Sequence, residues 1–411
     1  MPPPEPPSRE VRELVERRRA GGLPRRHFLR AGAAMGLTLP ALAGALAACG
    51  APEREVAGWS SRYYPYGREP VATSVDEAIA WWLDRTANDA VDWRAPEVTL
   101  SEEEVAELQR RAPRIGHQWY GLYVPAVAGW NEFWLDEVSQ WAPKPTVYDV
   151  QGRADRDIRG AQALVGSQIA VAGTLAVNWN LFGAAMRKYQ AADIPTTSVV
   201  APSSAYYPTT CTLMPDQVEC GRSLALPMAE ILARNGITES DVVFIPSRQP
   251  AYFDIAREIG LEQGVKAPET QSVARLNFVR AAPAGESTEV ESAVAQVLAT
   301  NPDAHVIAVL SYRYAGAAAA IRSAGRRDVW IIAFDLEQGT ATQLLDGGWP
   351  VAVAYSLPIA QLGRADAHVM GKILLGKDVP LVVTAKGTPT TSANVAQAYS
   401  NDWGGRALPW T

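Results

Sequence analysis

Histidine and cysteine are scarce in this chain, with four histidines and three cysteines among 411 residues. Beyond the first fifty positions only His117, His305 and His368 remain, and no Cys or His pair stands at the spacing a zinc site needs. Motifs that build common catalytic sites are missing too. There is no G-x-S-x-G elbow, G-x-G-x-x-G turn, Walker loop or H-E-x-x-H helix. The reading is therefore of a chain that is not an enzyme and needs no cofactor or metal. Acid pairs such as Asp155 and Asp157 fall at the start of an expected helix, where carboxylates favour the helix dipole. Positive charge is in deficit, with 38 basic against 44 acidic residues. That balance argues against nucleic acid, whose phosphates need a basic face. After residue 48 no stretch approaches the roughly 20 apolar residues of a membrane-spanning helix. Tryptophan, by contrast, is abundant at 13 residues, and so much indole needs a core, an interface or a ligand to cover it.

Residues 1–48 read as an address rather than as structure. Arg25 to Arg30 spell RRHFLR, and the 18 uncharged residues Ala31 to Ala48 are rich in Ala, Gly and Leu. This resembles a twin-arginine export signal. Leu46-Ala47-Ala48-Cys49 resembles a bacterial lipobox, in which the cysteine is lipidated and becomes the mature amino terminus. Gly, Ala and Pro40 dilute the apolar stretch too far for a stable spanning anchor. The expectation is a protein exported by the twin-arginine route and held by lipid at Cys49 on the outer face of the cytoplasmic membrane. Without residues 1–48 the chain keeps 30 basic and 40 acidic residues, a net charge of -10. Cys211 and Cys220 are then left together in an oxidising compartment. Their separation allows a local disulfide, with two buried free thiols as the alternative.

Residues 49–113 read as a linker and helical extension. Tyr63, Tyr64, Pro65, Tyr66 and Gly67 punctuate its start. Ser74 to Glu77 and Ser101 to Glu104 each have the S-x-x-E form that opens a helix. Ile79, Trp82 and Leu83 give the first helix an apolar side, so Trp81 and Trp82 are expected to pack on the main body.

From residue 114 strand and helix signals alternate almost to the end. Apolar runs at 121–124, 146–150, 174–177 and 197–200 form one series, and runs at 241–246, 274–279, 305–310, 329–334 and 351–355 form a second. Short continuous apolar runs between amphipathic segments predict parallel strands covered on both faces. One intervening helix is well marked, since Val290, Ala293, Val294, Val297 and Leu298 follow the helical period and Asn301-Pro302 ends it. The fold class expected is α/β, with two doubly wound parallel-sheet lobes and ligand at the carboxyl ends of the strands.

Particular residues sharpen this picture. Asn131-Glu132-Phe133-Trp134 resembles the N-x-F-[FW] turn of type 1 periplasmic sugar-binding proteins, the ribose-binding-protein-like branch. Ala191 to Pro195 resembles that family's A-x-x-[GN]-I-P step, and Pro215-Asp216 with Gly221 its D-N-x-x-x-G helix entry. Ala333-Phe334-Asp335, Leu357-Pro358 with Gly363, and Ser392-Ala393-Asn394-Val395 resemble its G-F-D, Q-x-P-x-x-x-G and [TS]-x-x-N-V signatures, in family order. The resemblance implies a three-segment hinge near residues 236–241, 353–357 and 383–388. It implies an N-terminal lobe of 114–236 plus 357–384 and a C-terminal lobe of 237–356 plus 385–411. It also implies a monomer that captures a sugar or polyol-like small molecule for an ABC permease. The alternatives are a sensor feeding a chemoreceptor or kinase, a binder of a less polar aromatic or cyclic solute, and a secreted hydrolase.

The departures from the family fall where it grips sugar. Val200-Ala201 and Leu310-Ser311 replace its Asp-Arg and Asn-Asp pairs, and Ser356 replaces a glutamine. A buried hydroxyl left without a partner costs roughly 1–3 kcal/mol, so other residues must serve. The expected ligand-binding set is Trp130, Asn131, Phe133, Trp134, Asn178, Trp179, Arg248, Tyr252, Asp254, Tyr312, Asp335, Tyr355 and Ser356. Asn180, Tyr206, Tyr207 and Tyr314 are further candidates. Asp335 is the foremost polar member, because a carboxylate after a buried strand can accept two hydroxyl hydrogen bonds.

Overall fold

The computed structural model describes residue 84 and residues 88–175, 179–200, 209–248, 251–310, 313–347 and 349–407, with backbone alone for 179–183. The export signal, Cys49, the helix expected around residues 74–83, Asn178, Tyr206, Tyr207 and Tyr312 lie outside these residues. Among the described residues no helix is long and apolar enough to cross a membrane.

Two sheets organise the chain. Their strands are β1 (Ala90–Asp92), β2 (Ile115–Trp119), β3 (Thr146–Asp149), β4 (Val171–Thr174), β5 (Thr196–Val199), β6 (Cys211–Leu213), β7 (Glu239–Ile245), β8 (Arg275–Arg280), β9 (Ala304–Val309), β10 (Trp330–Ala333), β11 (Val351–Tyr355), β12 (Val382–Thr384) and β13 (Pro389–Thr390). The first sheet has the order β1-β12-β6-β5-β4-β2-β3 with every pairing parallel. The second has the order β13-β11-β10-β9-β7-β8, parallel except for the short β13 edge. Each sheet is the core of one lobe, as the alternation of apolar runs and amphipathic segments predicts.

The helices, in chain order, are α1 (Glu102–Arg111), α2 (Pro125–Val138), α3 (Ala154–Gly166), α4 (Trp179–Ala191), α5 (Gln217–Arg222), α6 (Ala225–Arg234), α7 (Tyr252–Lys266), α8 (Pro268–Val273), α9 (Ser287–Thr300), α10 (Tyr314–Ser323), α11 (Gln338–Leu345), α12 (Ile359–Leu374) and α13 (Val395–Asp402). In α9 Val290 and Val294 are the buried stripe, and Asn301 follows the last turn as expected. Helix α1 begins with the capping box of Ser101 and Glu104 and packs on α12, where Lys372 reaches Glu104 at 2.7 Å. The extension also supplies β1, which adds an edge strand beside β12. It is thus part of the first lobe's sheet, a role its sequence does not announce.

The chain passes between the sheets three times, from β6 to α5, from β11 to α12 and from β12 to β13. The last two passages fall near the expected hinge positions, but the first lies near residues 214–217 rather than 236–241. Helices α5 and α6 pack on α7, and α6 also on α8 and β11, so both belong to the second lobe. Glycine makes that contact close: a Cβ at Gly221 would stand 2.1 Å from the Arg257 carbonyl oxygen. Asp216 starts α5 by accepting from the N–H groups of Val218 and Glu219, both at 3.0 Å.

The same passage corrects the disulfide expectation. Cys211 and Cys220 are buried free thiols, because Cys211 lies in β6 of the first lobe and Cys220 in α5 of the second. Burial raises the pKa of both, which leaves them unreactive.

The first apolar run also shifts. The strand is Ile115–Trp119, and residues 121–124 form the loop that leads to Pro125 at the start of α2. Strand β2 is buried throughout although its centre is His117-Gln118. His117 Nε2 meets Asp366 Oδ2 of α12 at 3.0 Å, and Gln118 Oε1 accepts from the Tyr189 hydroxyl at 2.6 Å. Gln118 also donates to Asp157, whose burial pushes its carboxyl up to about 7.

Candidate functional site

The carboxyl ends of the second lobe's strands gather a buried polar cluster. Asp335 follows β10, and helix α7 follows β7 and carries Arg257 into the same space. Arg257 Nη2 lies 2.9 Å from Asp335 Oδ1, with side chains only 3% and 8% exposed. Arg257 Nε donates to Gln217 Oε1 at 2.7 Å, so the first inter-lobe passage delivers a third member. Phe253 and Phe334 present ring faces to the guanidinium at 5.1 and 5.8 Å. Burial alone would weaken the arginine's charge, but the carboxylates of Asp335 and Asp254 outweigh it and hold Arg257 protonated.

Asp254, one turn before Arg257, is buried and accepts from the Ala251 N–H at 3.0 Å. Burial raises its carboxyl, while Arg313 and Arg257 pull it back down. Several atoms of this cluster have no partner although buried: Arg257 Nη1, Gln217 Nε2, Arg313 Nε and Asp254 Oδ1. Unmatched donors and acceptors in such a place are costly unless a bound molecule meets them. The arrangement offers unmatched donors and an acceptor to polar groups.

On the first lobe the described residues at the corresponding strand ends include several aromatic and apolar side chains. Tyr120 and Tyr123 follow β2, and a Cβ at Gly152 would lie 3.2 Å from either hydroxyl oxygen. Tyr123 is 62% exposed, and Leu175 and Val200 follow β4 and β5.

A family model described as "Periplasmic binding protein domain" matches residues 128–378, well over half of the chain. The chain belongs to this family of periplasmic binding proteins. Solved structures agree on the fold, which is that of the type 1 periplasmic binding proteins. An ABC transporter solute-binding protein from Mycobacterium smegmatis with bound glycerol has 17% identity and a TM-score of 0.61, covering 70% of this chain and 96% of its own. One from Bacillus halodurans with bound myo-inositol has 14% identity and a TM-score of 0.59, covering 71% and 98%. One from Agrobacterium vitis with bound allitol has 17% identity and a TM-score of 0.60, covering 70% and 98%. No curated protein matches the chain's sequence.

Within this periplasmic binding protein the expected site residues part company. Asp335 and Asp254 meet around Arg257, and Tyr355, buried at the end of β11, accepts through its backbone carbonyl from the Leu336 N–H at 2.8 Å beside them. Tyr252 is buried at the start of α7. Trp130, Asn131, Phe133 and Trp134 do not stand in a strand-end turn. They lie within α2, because Pro125 starts that helix and its apolar stripe continues to Val138. Trp134 is fully buried, its indole N–H donating to Met370 Sδ at 3.3 Å. Phe133 lies between the guanidinium groups of Arg364 and Arg406, at 5.4 and 4.7 Å. Trp130 is buried against α12, so close that a Cβ at Gly363 would lie 2.8 Å from its carbonyl oxygen. Arg248 is exposed and paired with Glu289 at 2.9 Å. Ser356 belongs to a hinge passage, exchanging hydrogen bonds with Thr388 at 2.9 Å each way. Trp179 and Asn180 open α4, with backbone alone described. Tyr314, half-buried, begins α10. Asn178 and Tyr312 lie outside the described residues.

Arg257 and Gln217 were not legible as site residues. A signal for Arg257 does exist: Phe253, Arg257, Leu261 and Val265 run at four-residue intervals, so the arginine interrupts an otherwise apolar line.

Proposed function

We propose that this protein captures a sugar or polyol in the cleft between its lobes and delivers it to an ABC permease. In this reading the chain is exported by the twin-arginine route and anchored by lipid at Cys49 outside the cytoplasmic membrane. The buried Arg257–Asp335 pair carries the reading, together with its unmatched neighbours at the carboxyl ends of the strands. A hydroxyl both donates and accepts, so a polyol can meet Arg257 Nη1 and Gln217 Nε2 as well as Asp254 Oδ1. The cluster holds arginines and aspartates in equal number, which suits a neutral ligand. Contacts with both lobes favour the closed arrangement by their differential affinity. The bound glycerol, myo-inositol and allitol of the structural relatives agree with this ligand class.

A thermal-shift screen of the mature chain from Gly50 onward tests the reading. A true ligand at 100 times its Kd adds about 2.7 kcal/mol, which in a protein of this size raises the Tm by about 5 °C. Sugars or polyols should give that shift. If only aromatic acids or apolar cyclic compounds do, the carbohydrate reading is wrong. Co-purification with a permease rather than a signalling ectodomain separates transport from sensing, and unchanged recovery of the ligand separates capture from hydrolysis.

A further inference from the structure

A cavity of about 770 Å³ lies at the amino ends of the second lobe's strands, away from the Arg257 cluster. That volume is within the range of small-molecule sites. Trp330, the first residue of β10, lines it, whereas Asp335 follows the last residue of the same strand. Five steps of extended chain span about 16 Å, so the two places are distinct. One wall is a face of α6, where Pro227, Glu230, Ile231 and Arg234 recur at the helical period. Arg327, which precedes β10, and Trp349, which precedes β11, also line the cavity.

The charges on these walls are unmatched. Elsewhere in the second lobe Arg222, Arg248, Arg257, Arg275, Arg280 and Arg326 each meet a carboxylate. Arg234 and Arg327 form no ion pair among the described residues, although Glu230 stands four positions before Arg234 on the same helix face. Arg327 is instead held near the Trp349 ring, its guanidinium carbon 5.8 Å from the centroid, and Arg322 approaches that ring at 5.9 Å. The Trp349 indole N–H is buried and has no hydrogen-bond partner. Two arginines and one glutamate leave the lining with one positive charge in excess, in a mature chain of net charge -10.

We propose that this cavity is a second binding site, for a small monocarboxylate with an apolar body. A carboxylate accepts from guanidinium groups in their fork geometry and from an indole N–H, and the body lies against Trp330, Trp349 and Ile231. The site is independent of solute capture in the cleft. Calorimetric titration of the mature chain with benzoate and hexanoate, each against its uncharged amide, tests this. The carboxylates are expected to bind with a Kd below about 1 mM and about tenfold or more tighter than the amides. Arg234→Gln and Arg327→Gln should each weaken carboxylate binding about tenfold, and Glu230→Gln should tighten it. All three positions are exposed, so these variants should keep the wild-type Tm and any shift that a sugar or polyol induces. Equal binding of acids and amides, or no binding of either, overturns the proposal and leaves the capture function standing. Carboxylate binding that survives in the Arg234→Gln, Arg327→Gln double variant also overturns it, as does displacement of the carboxylate by a saturating sugar or polyol, which would place it in the cleft.

Discussion

Breaking the Arg257–Asp335 pair from either side is expected to abolish ligand binding and to cost about 3–5 kcal/mol of stability. Both side chains are almost wholly buried and 2.9 Å apart. Removing one therefore leaves the other as an uncompensated charge in the interior. Arg257→Ala also opens space beneath Phe253 and Phe334, whose ring faces the guanidinium covers. A loss of binding in either single variant alone does not separate recognition from folding. The double variant Arg257→Met with Asp335→Leu does. Replacing a buried ion pair by apolar groups of similar volume is often neutral or stabilising, so its Tm should return to within a few degrees of wild type. Its ligand-induced shift should remain absent, because neither charge is left to meet a hydroxyl. A double variant that folds and still binds would remove the pair from the site.

The second large effect lies in the first lobe's core. His117→Ala is expected to cost about 3–5 kcal/mol, and more than Asp366→Ala. The first leaves a fully buried carboxylate without its donor, whereas the second leaves a neutral N–H unpaired, at about 1–3 kcal/mol plus a small cavity. His117 also stacks on Trp119, with ring centroids 3.5 Å apart, and meets Trp134 edge-on at 5.2 Å. Burial pushes the His117 imidazole below its ordinary range by more than Asp366 raises it. The folded state therefore keeps this ring neutral while the unfolded chain takes a proton below about pH 6.5. More protons on the unfolded side means that stability is full above pH 6.5 and is lost as pH falls. The penalty of His117→Ala should accordingly shrink between pH 7.5 and pH 5, as read from denaturant midpoints. His368, brought down to about 4 by burial and by Lys372 and Arg364, gives the same sign, and Asp157 at about 7 the opposite one. Both are common to wild type and variant, so they drop out of the difference. A penalty that stays constant over that range contradicts the account.

The second lobe's strands β9, β10 and β11 were legible because they are nearly unbroken apolar runs, and β11 coincides with its expected span, whereas the short strands β1, β6, β12 and β13 carry too few residues to stand out in the sequence. Strand β2 escaped notice because its centre is His117-Gln118, polar residues that are buried only because Asp366 and Tyr189 come to meet them from distant parts of the chain. That displacement carried the N-x-F-W resemblance with it, turning an expected strand-end turn into the middle of α2. Asp335 was legible from its place after an apolar run. Its partner was not, since Arg257 sits inside a helix where an arginine ordinarily faces water. The bridge between Cys211 and Cys220 failed for a related reason: sequence separation does not reveal that the chain changes lobe between them. In each case a partner from a distant part of the chain decided the outcome.

The most direct test of capture between the lobes is a distance measured across them. Labels at Tyr123→Cys and Arg248→Cys, both exposed positions at strand ends of opposite lobes, report that distance, and the buried Cys211 and Cys220 stay clear of the label. Saturating sugar or polyol should shorten it in the wild-type background and leave it unchanged in the Arg257→Met, Asp335→Leu background. A ligand that binds wild type tightly with no change in this distance would contradict the account.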